Sequence, residues 1–221
     1  MIFTNKKMRI LSTKVLTNRQ RDLLKEFDVK EVSMIDISFG ENFKVEENIP
    51  HAVFTSANAV KSVFEKNENK AESFQKVYCV GLKTKSLLES FGVQVQEVAD
   101  NALALADILV AKKIQDIHFY CGNLRNNDLP NVMAENGVLV TEYIVYKTEL
   151  CKHTFNEIFD AILFFSPSGV TSYVKGKNNC NVKVICIGYT TATEALEVFE
   201  EVYVAEETSV ESVIQKLKEI I

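Results

Sequence analysis

The chain has 221 residues, 47% of them hydrophobic and 14 of them Phe, which is enough apolar material for one large or two small cores and excludes a disordered chain. The net charge of −5, with Lys and Arg scattered rather than clustered, argues against a nucleic-acid partner. No apolar run approaches the roughly 20 residues that span a bilayer, and no apolar signal core follows Lys6, Lys7 and Arg9. The expectation is a cytoplasmic monomer with no membrane partner.

In chain order, Met8–Thr13 reads as a strand and Arg19–Phe27 as a helix. Val29–Phe39 reads as one long extended stretch, and Gly40–Pro50 as a polar loop. His51–Ser56 is a predicted strand, Ala59–Glu65 a helix followed by a Lys/Asn/Glu-rich turn, and Lys76–Val80 a strand. Gly81 opens a helix, Val93–Val98 alternates as a short strand, and Asn101 caps the next helix. Ile117–Cys121 is a strand and Leu129–Asn136 a helix. Gly137–Leu150 then alternates for longer than an ordinary strand of five or six residues. Phe155–Phe159 reads as a short helix and Ala161–Ser166 as a buried strand, with Ser166 and Pro167 as N-cap and N1. Val182–Ile187 is a strand, and Gly188 opens a helix with Thr191 and Glu194 in capping-box spacing. Val202–Ala205 is the last strand, and Thr208 with Glu211 repeats the capping-box spacing before a final helix. This alternation predicts an α/β fold with mostly parallel sheets.

The chain also echoes itself. Val53–Ser56 returns as Leu163–Ser166, Val77–Gly81 as Val184–Gly188, and Arg9–Thr13 lines up with His118–Gly122, at offsets of 107 to 110. Landmarks at one nearly constant offset predict two similar lobes from an internal duplication. One division is a simple cut near residue 116. The other has Val29–Phe39 pairing with Gly137–Leu150, the chain leaving one lobe on the first segment and returning on the second. That second division gives residues 1–34 with 149–221, residues 40–142, and a linking two-stranded β ladder of 35–39 and 143–148.

Ligands of parallel sheets gather at strand C-terminal ends, where helix N-termini present free N–H groups. Those ends here are Ser56 to Asn58, Gly81 to Thr84, Cys121 to Arg125, Ser166 to Gly169, and Gly188 to Thr191. Taken singly, each is explained by N-capping hydroxyls and tight turns; taken as a set, small and hydroxylated loops suit an anionic ligand. The five cysteines contain no C-x-x-C pair, and His51, His118 and His153 show no ligand spacing, so neither disulfides nor a metal site is expected. No G-x-G-x-x-G, P-loop or G-x-S-x-G occurs, and no loop holds paired carboxylates. What remains is chemistry by positioning, hydrogen bonding and one phenol.

The runs Phe54-Thr55-Ser56, Cys121-Gly122-Asn123-Leu124-Arg125, Val145-Tyr146-Lys147-Thr148, Phe164 to Gly169 and Ile187 to Ala192 resemble the uroporphyrinogen-III synthase family over nearly the whole chain. The resemblance implies two flavodoxin-like lobes joined by the ladder, and so favours the second division. It implies a lyase of heme and porphyrin biosynthesis that takes hydroxymethylbilane, a linear tetrapyrrole with eight carboxylates. In the cleft between its lobes the enzyme would expel the terminal hydroxyl as water, invert ring D and close the macrocycle without metal or organic cofactor. The substrate could pass by transient handover from the preceding deaminase. Carried onto this sequence, the family's ladder tyrosine is Tyr146, the expected catalytic residue. The binding set is Thr13, Ser56, Asn58, Gly81, Thr84, Gly122, Asn123, Leu124, Ser166, Ser168, Gly169, Thr190 and Thr191. Lys14 stands where bacterial members often carry Arg, and Tyr189 where Pro is common.

Two other readings stay open at this point. Tyr146 taken alone reads first as a ladder aromatic packed on a neighbour. The loops equally suit a non-catalytic two-lobed protein that binds a small anion.

Overall fold

The structure is a computed structural model that describes residues 7–40, 45–65 and 71–221. Parts of the expected polar loop (41–44) and of the Lys/Asn/Glu-rich turn (66–70), and Lys6 with the rest of the first six residues, lie outside the described residues. In chain order the elements are β1 (Arg9–Ser12), α1 (Asn18–Asp22), β2 (Asp28–Glu31), β3 (Ile35–Phe39), β4 (Ile49–Phe54), α2 (Ala57–Phe64), β5 (Phe74–Val80), α3 (Leu82–Ser90), β6 (Val95–Ala99), α4 (Ala102–Ala111), β7 (Asp116–Gly122), α5 (Asp128–Glu135), β8 (Leu139–Leu150), β9 (Ala161–Phe164), α6 (Pro167–Lys175), β10 (Lys183–Cys186), α7 (Tyr189–Leu196), β11 (Val202–Val204) and α8 (Val210–Ile220).

The chain divides into two compact units, residues 1–36 with 149–221, and residues 37–148. The sheet of the first runs β11-β10-β9-β1-β2, and every neighbouring pair is parallel. Its strands are short; central Ala161–Phe164 is apolar throughout because helices cover both faces, whereas edge strand β2, Asp28–Glu31, is mostly charged. One face carries Leu11, Ile162, Phe164, Tyr173 and Phe199; the other carries Ile10, Leu163, Ile185 and the apolar stripe of α8.

The sheet of the second unit runs β3-β8-β7-β4-β5-β6. Its core is aromatic: Phe54 stacks on Tyr120 with centroids 4.9 Å apart and meets Phe74 edge-on at 5.9 Å. Between β7 and β8 the parallel pairing slips. Cys121 opposes Ile144, but Gly122 opposes Tyr146, so Val145 is an extra residue in β8, a β-bulge.

Several local expectations need correction. Val29–Phe39 is two strands in different sheets: β2 pairs with β1, and only β3 neighbours β8. The helix expected over Arg19–Phe27 stops at Asp22, after a capping box between Thr17 and Gln20, and continues as single turns, Leu24 N–H to Arg21 O and Phe27 N–H to Leu24 O. Phe155–Phe159 is not helical, because the Phe155 N–H donates to the side chain of Asn178 and its ring packs beside Phe159 and Tyr173. Thr191 does not cap α7, which starts from Gly188 with Thr191 already inside and buried. Nor does Thr208 cap α8; Ser209 does, accepting from the Ser212 N–H. The caps at Asn101 and Ser166, with Pro167 at N1, are as expected. No helix of the described residues is long and apolar enough to cross a membrane.

Candidate functional site

In the second unit, β4 and β7 lie side by side and continue in opposite directions of the sheet, so the loops after them flank a topological switch point. After β4 the chain turns at Ser56, whose extended backbone and short side chain suit an N-cap. Its Oγ accepts from the Asn58 N–H at 3.1 Å and so starts α2. Gly122, the last residue of β7, and Asn123 after it lie against β8. The Asn123 side chain accepts from the Thr148 N–H at 2.7 Å and donates to the Thr148 carbonyl at 3.2 Å, while its own N–H donates to Tyr146 O. Asn123 therefore acts as a one-residue extension of the ladder. Its side-chain amide is engaged with Thr148.

The bulge at Val145 turns Tyr146 inward. Its ring lies over Gly122 so closely that a Cβ there would stand 2.4 Å from Cζ, and it packs against the Phe54–Tyr120 core. Its hydroxyl donates to Ser56 Oγ at 3.3 Å. Burial raises the phenol above its ordinary value; the bond to Ser56 pulls the other way, and the neighbouring Cys121 adds to the rise. Tyr146 is thus a neutral donor at neutral pH. Burial likewise raises Tyr78, Tyr120 and Tyr173, and raises Tyr143 together with its hydrogen bond to Glu46.

These phenols set an alkaline limit on stability. Below the ordinary tyrosine value of about 10 both folded and unfolded chains hold the protons, and the groups add no pH dependence. Above it the unfolded chain ionises first and binds fewer protons, so stability falls as pH rises. Urea midpoints are expected to drop between about pH 10 and 11; a flat midpoint there would contradict the burial of these hydroxyls.

In the first unit the equivalent switch point lies between β9 and β1. Thr13 is buried, and its hydroxyl donates to Leu163 O at 2.8 Å. Ser166 Oγ accepts from the Gly169 N–H at 3.1 Å, and a Cβ on Gly169 would lie 3.4 Å from Ser166 Oγ and 3.7 Å from Thr13 Oγ1. Thr13, Ser166 and Gly169 are therefore gathered at one point, with Ser168 in the first turn of α6 beside them. Thr190 is exposed and Thr191 buried at the start of α7. Lys14 Nζ lies 5.6 Å from the centroid of the Phe165 ring.

Of the remaining expected residues, Gly81 starts α3 with φ of +83°, a conformation that suits glycine, and Thr84 is buried one turn on. Leu124 is exposed. Arg125 is held by Glu142 in a forked ion pair with contacts of 2.6 to 3.1 Å. Among the described residues no three His, Cys, Asp or Glu side chains come together as a metal site. Burial pushes the Cys79 and Cys121 thiols up to about 11 and Cys186 up to about 12, as inert core residues. Sequence pattern alone assigns no role to Val145, Gly40 or Ser62. Ser62 carried a usable signal: it is the one polar residue on the buried face of α2, otherwise Ala59, Val60, Val63 and Phe64.

Comparison with known proteins bears on this arrangement. A family model described as uroporphyrinogen-III synthase HemD matches residues 24–215. The uroporphyrinogen-III synthase of Saccharomyces cerevisiae is 29% identical over 180 residues, covering 65% of this chain and 66% of that protein, just under two thirds. Among solved structures, uroporphyrinogen-III synthetase from Helicobacter pylori aligns with a TM-score of 0.69 at 16% identity, over 97% of this chain and 100% of that one. A mutant uroporphyrinogen III synthase from the extremely thermophilic bacterium Thermus thermophilus aligns with a TM-score of 0.71 at 18% identity, over 96% and 98%. At these identities the structural likeness establishes the α/β fold.

Proposed function

The chain belongs to the uroporphyrinogen-III synthase family, and from that premise we propose that it is a lyase that converts hydroxymethylbilane to uroporphyrinogen III and water. The observation that carries the reading at the level of this chain's residues is the phenol of Tyr146. It is held neutral beside Ser56 at the C-terminal edge of a parallel sheet.

On this reading the substrate's carboxylates are bound chiefly by helix N-termini. The positive dipole ends of α2 and α6 favour an anion beside Asn58 and Gly169, whose own N–H groups are taken by the Ser56 and Ser166 caps. Ser56, Ser166 and Thr13 shape those ends, and Gly81 lets the chain turn tightly into α3. Tyr146 donates a hydrogen bond to the departing hydroxyl, and the proton that completes the water is balanced by the one the terminal pyrrole's free α-carbon loses on closure, so the phenol ends protonated. Little acid strength is needed, since electron release from the pyrrole nitrogen expels the group. The task left to the protein is to hold a flexible chain so that the terminal ring reacts through its substituted carbon and the macrocycle closes with that ring inverted.

The duplication reading is supported by sheet order. Starting from β4 or from β9, the next two strands are added on one side, and β7–β8 or β1–β2 stand on the other. The ladder reading is supported by two hydrogen bonds of opposite sense in numbering, Gly40 N–H to Val145 O and Cys151 N–H to Met34 O, as in an antiparallel pair.

The test is direct. The protein is supplied with hydroxymethylbilane, the products are oxidised, and the uroporphyrin isomers are resolved. Isomer III in excess of the no-enzyme control is expected. Isomer I alone would overturn the reading and leave an anion-binding protein in its place.

A further inference from the structure

Helix α2 touches β8 at two places. Its N-cap, Ser56, receives the Tyr146 hydroxyl. Two turns on, Ser62 donates to the carbonyl of Val145, and the Gly40 N–H donates to the same oxygen at 3.0 Å. Val145 is the bulge residue, fully buried. A bulge leaves its extra residue without a partner on β7, so the Val145 carbonyl takes its donors from the other side of β8 and from α2. Gly40 offers its N–H from a backbone close enough that a Cβ on it would lie 3.2 Å from that oxygen. Ser62 supplies the second donor from an otherwise apolar face, and is itself 2% exposed. A polar group is retained in such a setting only with its partner in place, since an unpaired hydroxyl there is unfavourable.

We propose that Ser62 is a positioning residue for the synthase reaction. By anchoring the carbonyl of the β8 bulge to α2, it holds the peptide that carries Tyr146 at the register where the phenol meets Ser56. The proposal rests on the catalytic reading of Tyr146. It assigns the distance between phenol and N-cap to one rigid helix: Ser56 and Ser62 are its fixed points, and the bulge is what they fix. Without the Ser62 donor, the Val145 carbonyl keeps only Gly40, and the bulge can move along β7.

Ser62→Ala is expected to lower kcat on the order of tenfold with KM within about twofold, because misplacement of a donor by an ångström weakens the transition state more than the bound substrate. Combined with Tyr146→Phe, it should slow the reaction no more than Tyr146→Phe alone. A purely structural Ser62 would instead lower both rates by the same factor, and that result overturns the proposal. Ser62→Cys, isosteric and a weaker donor, should give an intermediate kcat and serves if the Ala variant does not fold. A second readout needs no substrate. With tyrosine labelled at its ring carbon, the Tyr146 resonance is assigned by its loss in Tyr146→Phe, and Ser62→Ala should shift it while leaving that of Tyr173 in place. An unshifted Tyr146 resonance would sink the proposal even in an active protein. A shifted resonance in a protein that makes no isomer III would uphold the anchoring and remove only the synthase reading.

Discussion

Tyr146→Phe is expected to lower the rate of isomer III formation by tenfold to a few hundredfold while leaving the thermal midpoint within a degree or two. The magnitude is that of one preorganised donor aimed at developing charge, about 2.7–4 kcal/mol at its largest. The small change in stability follows from the contacts. The ring keeps its packing on the aromatic core, and Ser56 keeps the Asn58 N–H and its role as N-cap. The one bond lost is long at 3.3 Å, and an intramolecular hydrogen bond of this kind is worth about 1 kcal/mol or less. The alkaline limb of the rate profile, if it reports Tyr146, should vanish in the variant. Single-turnover assays resolving isomers I and III give the rate, and a melting curve gives the control. Undiminished activity would take Tyr146 out of the mechanism and return it to the status of a ladder aromatic.

Gly122→Ala is expected to be nearly as damaging for a different reason. The added methyl would stand 2.4 Å from Tyr146 Cζ and 2.8 Å from its hydroxyl, distances at which something must move. β7 is tied to β4 on one side and β8 on the other, so the ring gives way rather than the strand. Overpacking of this kind costs about 1–3 kcal/mol, and the phenol leaves Ser56 with it, so the rate should fall by tenfold or more. The two effects separate in the double variant with Tyr146→Phe. There the melting point should fall again, since the ring is still pushed, but the rate should fall little further, since the hydroxyl is already gone. A second full loss of rate would mean that Gly122 meets the substrate through its own backbone.

The predicted strands and most helices stand where hydrophobic period and cap chemistry put them, because those signals are local. Ser166-Pro167 and Asn101 announce their helices within three residues. What the sequence does not display is set by partners far along the chain. Val29–Phe39 has no Gly or Pro to mark a break, yet Val32 and Met34 N–H groups go to Ser12 and Thr13 of one sheet while Phe39 belongs to the other. The bulge at Val145 exists only relative to β7, and nothing in Tyr143-Ile144-Val145-Tyr146 announces an extra residue. Phe155–Phe159 has helical spacing, but Asn178 takes the first amide. For the site, Ser56 and Ser166 were readable as caps and Tyr146 through the family resemblance. The engagement of Asn123 with Thr148 and of Ser62 with Val145 was not, since each joins residues 25 or more apart.

The strand order also sets a timetable. β1 lies between β2 and β9, so the N-terminal strand has one neighbour until Ala161 has been made. The six-stranded sheet is complete by Leu150. Entropy separates the two sheets little. Pairing Ile10 with Ala161 closes a loop of 151 residues (161 − 10), pairing Ala52 with His118 one of 66 (118 − 52), and the difference is about 0.7 kcal/mol. Time separates them more. From Glu31, where β2 ends, to Ala161 is 130 residues (161 − 31), or about 6 to 26 s of synthesis at ~5–20 residues per second. For those seconds Ile10 and Leu11 belong at best to a two-stranded pair with an open edge, the arrangement that a neighbouring nascent chain can extend.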